Sequence, residues 1–536
     1  KYVLLSGIEH SDDRVREEML TIFYRWFDGS HELDEDARFA LLDAVFSMPA
    51  ELCARSGRLD CLADFAVDNM DHEDDRVRVA AVRALKVLTS VVTRENACYG
   101  RVEKAVTEMD TGSITMVFLQ YRILTNLRLD TKAQREILYG SDVVSDIFLE
   151  NLKSVTPWIL KAINIKLLAD QVDHGRREHI LHICAHLSNL IKVSEHVGVR
   201  HDAGKALLRL GHLLSTDQAN EIAVELLKGL EVGEYEFSKY IPEYLGEFAL
   251  WLPPEQLDEC LADLGVTLSA SSSRIVAPVL DTVGVIYEEY DVYHQRFPEE
   301  AEETCLRRRD RLLGMLMRGL AGIDGETRQE AMLVLGQRVF GSAQLSNGEK
   351  SRAFPLTARK LLTTCRQEDG DALSFYYRAS MLGRLYRFLT AQRLRGGFTF
   401  EAPRPIAFFP GTFDPFTLSH KAIVRTIRDR GFEVLLAIDE FSWSKRTQPY
   451  RIRRRIAAMS VADEFHVQIF PEDFPVNIAN PENLHRLRQA FPGRKVSIAV
   501  GSDVVAHASS YRKPVEPDSI HTFDHIIFRR PGQEAG

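Results

Sequence analysis

Thr417 and His420 stand three residues apart at the start of a segment with helical apolar spacing, so a hydroxyl and an imidazole share one face. At the positive end of a helix such a pair can hold and neutralise a phosphate. The same residues also fit a plainer reading, in which Thr417 or Ser419 caps the helix and the histidine is a bystander. A second polar stretch, Ser442-Trp-Ser-Lys-Arg-Thr-Gln-Pro-Tyr-Arg-Ile-Arg-Arg-Arg455, places many cations at the start of another helix, where they oppose its dipole. That conflict suits an anion site, and a solvated basic helix start is the alternative. Val500-Gly-Ser-Asp503 offers a small turn with a carboxylate, and Ser510-Tyr-Arg-Lys-Pro514 adds an aromatic ring beside two cations.

These residues need a frame, and the chain from 405 onward supplies one. Apolar runs predict strands at 405–409, 432–438, 465–470, 495–500 and 524–528. Helical spacing predicts helices at 418–430, 451–462, 481–490 and 502–509. In the first helix, Leu418, Ala422, Ile423 and Ile427 are expected to form the apolar face. Alternation of this kind means a parallel sheet in a Rossmann-like α/β domain, with ligands beyond the carboxyl ends of the strands. The turns at Gly411 and Gly501 both follow strands and so face that crevice.

Gly411-Thr-Phe-Asp-Pro-Phe-Thr-Leu-Ser-His420 resembles the nucleotidylyltransferase signature GxFDPxHxGH or GxFDPxTxGH, with Ser419 where that family has glycine. The Phe413-Asp414-Pro415 form is similar to nicotinate-nucleotide and pantetheine-phosphate adenylyltransferases. The resemblance implies transfer of an adenylyl group from ATP to the phosphate of an acceptor, with release of pyrophosphate and with Mg2+ on the polyphosphate. It implies catalytic roles for His420 and Thr417, which would stabilise charge developing on the α-phosphate, and for Lys445, which with Arg455 would hold the polyphosphate. Gly411, Thr412, Phe413, Asp414, Ser419 and Arg455 would cradle phosphates, with Arg454 competing for the role of Arg455. Gly501, Ser502 and Asp503 resemble a nucleotide-holding GxD turn. Tyr511 and Arg512 would meet the acceptor, for which Phe528-Arg-Arg-Pro-Gly532 also favours nicotinate mononucleotide. The family's second signature, (I)SxTxxR, does not occur before Gly536, so the domain is expected to be truncated there. The alternatives are a catalytically inactive nucleotide sensor and a pure helical-repeat scaffold.

Residues 1–395 read as helix after helix. Asp12-Asp-Arg-Val-Arg16, Asp74-Asp-Arg-Val-Arg78, Val197-Gly-Val-Arg200 and Asp324-Gly-Glu-Thr-Arg328 each open an apolar helical face. They resemble the second helices of HEAT-type repeats. The acid is expected to cap, the arginine to reach along the stack, and alanines to let helices approach. Such a solenoid suits an unknown protein partner. His179, His182 and His186 sit at helical spacing without carboxylates, which favours a structural role over a metal site. Residues 396–404 form the linker, and 405–536 form the α/β domain.

The 536 residues exceed one core, and 45% hydrophobic with 27% charged content is that of a globular chain. Seven cysteines without a CxxC pair fit core thiols in a cytoplasmic protein. Lys1 opens the sequence inside a helical pattern, so a fragment of a longer protein is expected. No run of 18 apolar residues and no signal-peptide pattern occurs, so no membrane span is expected. From Arg404 onward 19 Lys and Arg face 15 Asp and Glu, a balance of +4, leaving −14 for the rest of a chain of net −10. The basic end suits a small polyanion, and the acidic remainder argues against nucleic acid.

Overall fold

The computed structural model describes residues 13–29, 33–55, 57–139, 158–173, 179–232, 238–270, 272–365, 372–398, 402–439 and 447–529. The chain divides into two compact units, 1–214 and 215–536, so the division falls inside the helical region. The first unit is helical. The second holds further helices together with a five-stranded sheet. The physical reason is that the later helices pack directly on the sheet domain, as described below.

The repeated motifs fall at helix starts. Asp74 caps the helix Asp75–Leu88 by accepting from the Arg76 N–H (2.7 Å), and Asp324 caps Gly325–Val334 by accepting from the Thr327 N–H (2.8 Å). A further instance is Asp34, which accepts from the Ala37 N–H (2.8 Å) at the start of Glu35–Ser47. The arginine four residues after each cap works mainly within its own repeat, although Arg38 also reaches the Asn69 side chain (3.3 Å) at the end of the helix Leu59–Asp68. Each such arginine folds back onto the turn before its own helix. Arg78 donates to the His72 carbonyl (2.9 Å), Arg328 to those of Gly322 (3.0 Å) and Ile323 (2.7 Å), and Arg38 to that of Leu33 (3.1 Å). Arg200, almost wholly buried, donates to the Ile191 (3.0 Å) and Ser194 carbonyls. These carbonyls lie at or beyond the end of the preceding helix, where no intrahelical donor is available. One guanidinium therefore joins the two helices of a repeat.

Alanines line several contacts of the first unit, among them Ala80, Ala81 and Ala84, all buried. In the second unit the closest approaches are made by glycines. A Cβ on Gly284 would lie 2.4 Å from Val334 Cγ1, one on Gly246 2.5 Å from Val285 Cβ, and one on Gly319 2.8 Å from Leu280 Cδ2. All three seams involve the helix Ser273–Glu288, which is buried along most of its length.

The sheet comprises β1 (Ile406–Gly411), β2 (Glu433–Ile438), β3 (Val467–Ile469), β4 (Val496–Gly501) and β5 (Asp524–Phe528), all parallel, in the order β3-β2-β1-β4-β5. β1 runs two residues further than its apolar run predicts. Its pairing with β2 continues to Gly411↔Ile438, whereas pairing with β4 ends at Phe408↔Ile498. The Ile406 N–H donates to Lys495 on the β4 side, so Pro410 also faces β4, beyond the end of that ladder. Its missing N–H therefore costs no sheet bond. The helix Leu418–Asp429 is rotated from the expected phase. Val424 and Ile427 are buried with Ile423 beside them, while Leu418 is 86% exposed and Ala422 is also outside.

Helices of the second unit hold the sheet domain firmly. Arg318 pairs with Asp463 (2.6 Å), Arg359 pairs with the buried Glu433, and Lys360 donates to the Val461 (2.7 Å) and Val467 (2.9 Å) carbonyls. Burial pushes the Lys360 ammonium down to about 8, against the pull of Asp463 and Glu464.

Candidate functional site

The strand order reverses between β1 and β4, and their last residues, Gly411 and Gly501, each lie three positions beyond the final β1–β4 pair. Each strand end leads to a helix start, at Thr417 and at Gly501. This crevice gathers Gly411, Thr412, Phe413, Asp414, Thr417, Ser419 and His420 from one strand end, and Gly501, Ser502 and Asp503 from the other.

Within it, Thr417 and His420 engage each other. The Thr417 N–H donates to His420 Nδ1 (3.0 Å), Thr417 Oγ1 lies 2.9 Å from the same nitrogen, and the His420 N–H reaches Thr417 Oγ1 at 3.5 Å. This is a capping box with histidine in the third position. Because Nδ1 accepts, the neutral ring carries its proton on Nε2. The ring is held between Phe413 (5.2 Å, edge-on) and Phe416 (5.5 Å). The plainer reading of Thr417 as a cap is therefore realised, and His420 completes it.

Gly411 has a packing reason for lacking a side chain. A Cβ there would lie 2.9 Å from the Phe413 ring, and Phe413, at φ 43°, also meets Phe409 (5.2 Å). Asp414 accepts from the Gln448 N–H (3.0 Å), which ties the motif to the segment before the next helix. Ser419 is exposed at the first turn of its helix. Asp503 folds back on Gly501, with Oδ1 2.3 Å from where a Cβ would sit. Ser502 begins the short helix Ser502–His507.

Four of the remaining expected residues, Arg454, Arg455, Tyr511 and Arg512, fall among the described residues. Lys445 lies outside the described residues. Arg455 turns to the Ile323 carbonyl of the helical part (3.0 Å), and Arg454 donates to the Phe470 carbonyl (2.8 Å). Tyr511 packs beside His525 (5.4 Å) and against the β1–β4 core, and burial pushes its phenol up to about 12. Arg512 is exposed on the same loop.

Arg453 is the residue that the motif reading missed. It is wholly buried and donates to three carbonyls: Thr412 after β1, Asp439 after β2 (2.9 Å) and Gln448 (2.9 Å). One fork thus fixes both walls of the crevice on the β2 side. The signal was present. Tyr450, Arg453 and Ala457 recur at helical spacing on the inward face of Tyr450–Ser460, so Arg453 occupies a core position among exposed cations.

No protein-family model and no curated protein matches the chain. Among solved structures it is similar to Kap121p bound to Nup53p, at 10% identity over 91% of this chain and 46% of that one, with a TM-score of 0.38. It is also similar to a C-terminal fragment of the Chaetomium thermophilum cohesin loader SCC2, at 11% identity over 80% and 36%, with a TM-score of 0.30. An engineered protein matches at 14% identity over 72% and 98%, with a TM-score of 0.28. The chain thus spans less than half the length of the Kap121p and SCC2 chains. The expectation of an adenylyltransferase, with nicotinate mononucleotide as acceptor and pyrophosphate as product, is corrected here. No family model or curated protein supports it, and none of the similar solved structures named above is described as a nucleotidyltransferase. The structure adds that Arg455 faces the helical part and that Thr417 with His420 closes a helix cap.

Proposed function

We propose that the chain is a helical-repeat scaffold that docks a protein partner on the helix Ala372–Leu394. One observation carries this. Phe375, Tyr376 and Tyr386 on that helix are 65%, 67% and 70% exposed, and Leu382 lies on the same stripe as Phe375 and Tyr386. Rings standing in water at helical spacing are the pattern of an anchor face. The helix also carries four arginines (378, 384, 387 and 393) and no Asp or Glu. The complementary partner is an acidic segment with apolar anchors. The test is photo-crosslinking from position 376, comparing the otherwise native chain with Phe375→Ser/Tyr386→Ser. A partner captured by the first and lost from the second, then binding at least tenfold more weakly to the purified variant, supports the proposal. Capture that is indifferent to the two substitutions overturns it.

The crevice favours a second reading for the sheet domain, in which a nucleotide such as ATP is held without turnover. Two strand ends with small residues, each followed by a helix start, support it. Among the described residues no group of three or more His, Cys, Asp or Glu gathers as a metal seat. Mg2+ would therefore arrive on the nucleotide's phosphates and neutralise their charge. Thermal stabilisation by ATP with Mg2+, lost in Gly501→Val, is the expected result. An unchanged melting curve removes the reading.

A further inference from the structure

A cleft of about 700 Å3 opens at the opposite end of the sheet, between the helical part of the second unit and the amino-terminal edge of the strands. Arg404 stands just before β1, Gly431 just before β2 and His466 just before β3. From the helical side come Arg307 and Arg311, one turn apart on Glu302–Leu320 and thus on one face. Arg425 and Arg428 enter from the last turns of Leu418–Asp429.

The charges of this cleft do not balance. Four acids line it, and each is already satisfied. Asp310 pairs with Arg352, Asp463 with Arg318 and Lys421, Glu464 with Lys421, Arg425 and Arg428, and Asp429 with Arg428. Three guanidiniums remain. Arg307 donates to the Thr304 hydroxyl (2.9 Å) and Arg311 to the Asp258 carbonyl (3.4 Å); both also feel the Asp258 carboxylate, whose hydrogen-bonded partner is Arg308, and none of Arg307, Arg311 and Arg404 makes a close side-chain ion pair among the described residues. The nearby helix C-terminus, whose dipole would repel an anion, is closed by the Arg430 and Gly431 N–H groups bonding back to Ile427 and Arg428. Three guanidiniums that line one cleft, whose own acids are already paired to other cations, offer planar forks to phosphate oxygens.

We infer that this cleft binds a compact soluble polyphosphate, either free or as the phosphate tail of a nucleotide. Such a ligand bridges Arg307 and Arg311 of the helical part to Arg404 of the sheet domain and tightens one upon the other. The inference does not rest on the crevice reading, since the two places lie at opposite ends of the strands.

The test is calorimetric titration of the full chain with inorganic tripolyphosphate and, separately, with ATP, both without metal. The same titrations are run on Arg307→Ala/Arg311→Ala, on Arg404→Ala and on Gly501→Val. Arg307 and Arg311 are exposed, so their removal leaves the fold intact, and a melting curve checks this. The expected result is one site whose affinity falls at least tenfold in the double variant and in Arg404→Ala, and is unchanged in Gly501→Val. Equal affinity for the two probes identifies a free polyphosphate as sufficient, and tighter binding of ATP identifies the nucleotide tail. Absence of binding, or binding that ignores the arginine variants, overturns the inference. Loss only in Gly501→Val would assign the anion to the crevice instead.

Discussion

Arg318, on the helix Glu302–Leu320, holds Asp463 of the sheet domain with Nη2 at 2.6 Å and Nε at 2.9 Å from the same carboxylate oxygen. Burial alone would raise the Asp463 pKa, but Lys421 and Arg318 outweigh it and hold the carboxyl below its usual 3.8. The contribution of this group is therefore present above that pH and is lost as the pH falls through the lowered value. Replacing Asp463 with Ala is expected to cost about 2 kcal/mol, discounted from a fully buried pair because Arg318 is partly exposed. Limited proteolysis at 396–404 should speed up correspondingly, and an unchanged cleavage rate would count against this contact as the clasp.

Arg453→Ala should be the most damaging change in the sheet domain. It strands three carbonyls around an emptied space, for a loss of about 3 kcal/mol or more. Arg453→Lys is expected to rescue only partly, because an ammonium lacks the planar fork. Denaturant unfolding of both variants checks this; full rescue by lysine would refute the three-way tie.

At Thr417 the expected effect is smaller. Thr417→Val removes the side-chain half of the capping box, for about 1 kcal/mol, and Thr417→Ser should retain it. Amide exchange at 418–421 is the direct readout, and protection identical to that of the native chain would exclude the capping role.

Glu330 provides a pH signature within the helical region. Burial, with Asp281 nearby, pushes its carboxyl up from 4.5 to about 7, while Arg338 pulls the other way. The unfolded chain therefore loses this proton first. Stability is fully present below pH 4.5 and declines as the pH rises through about 7, by up to about 3 kcal/mol. Glu330→Gln should flatten that slope and raise the melting temperature at pH 8. A slope unchanged by the substitution would assign it elsewhere.

Gly284→Ala tests the tightest helix seam. The added methyl meets Val334 at 2.4 Å, so a loss of about 1–3 kcal/mol is expected despite the better helix propensity of alanine. Val334→Ala in the same chain should restore part of it.

Much of this architecture was legible because period is a strong signal. The strand predicted at 524–528 coincides with β5, 432–438 differs from β2 by a residue at one end, and 495–500 is shifted by one residue from β4. The Asp–Arg spacing found the helix starts at 74 and 324. It missed Asp34…Arg38, where Ala37 replaces the valine or threonine of the pattern. What the sequence hid is direction. Spacing put Arg78 and Arg328 on a helix but could not say that they turn back to their own turns. The ten-residue motif placed Thr417 and His420 together, yet the partner of each is the other. Arg455 looked like a phosphate ligand only while Ile323, 132 positions away, was not known to be beside it.

Lys360 has a mechanical consequence. Its ammonium is seated on the carbonyls of Val461, at the end of the helix Tyr450–Ser460, and of Val467, the first residue of β3, while Arg359 beside it holds Glu433 at the foot of β2. A tug transmitted along the last helices is thus delivered to the base of two strands and bypasses the tether between Arg395 and Arg404. Strain in those helices therefore enters the sheet at the amino-terminal ends of two neighbouring strands rather than through the linker.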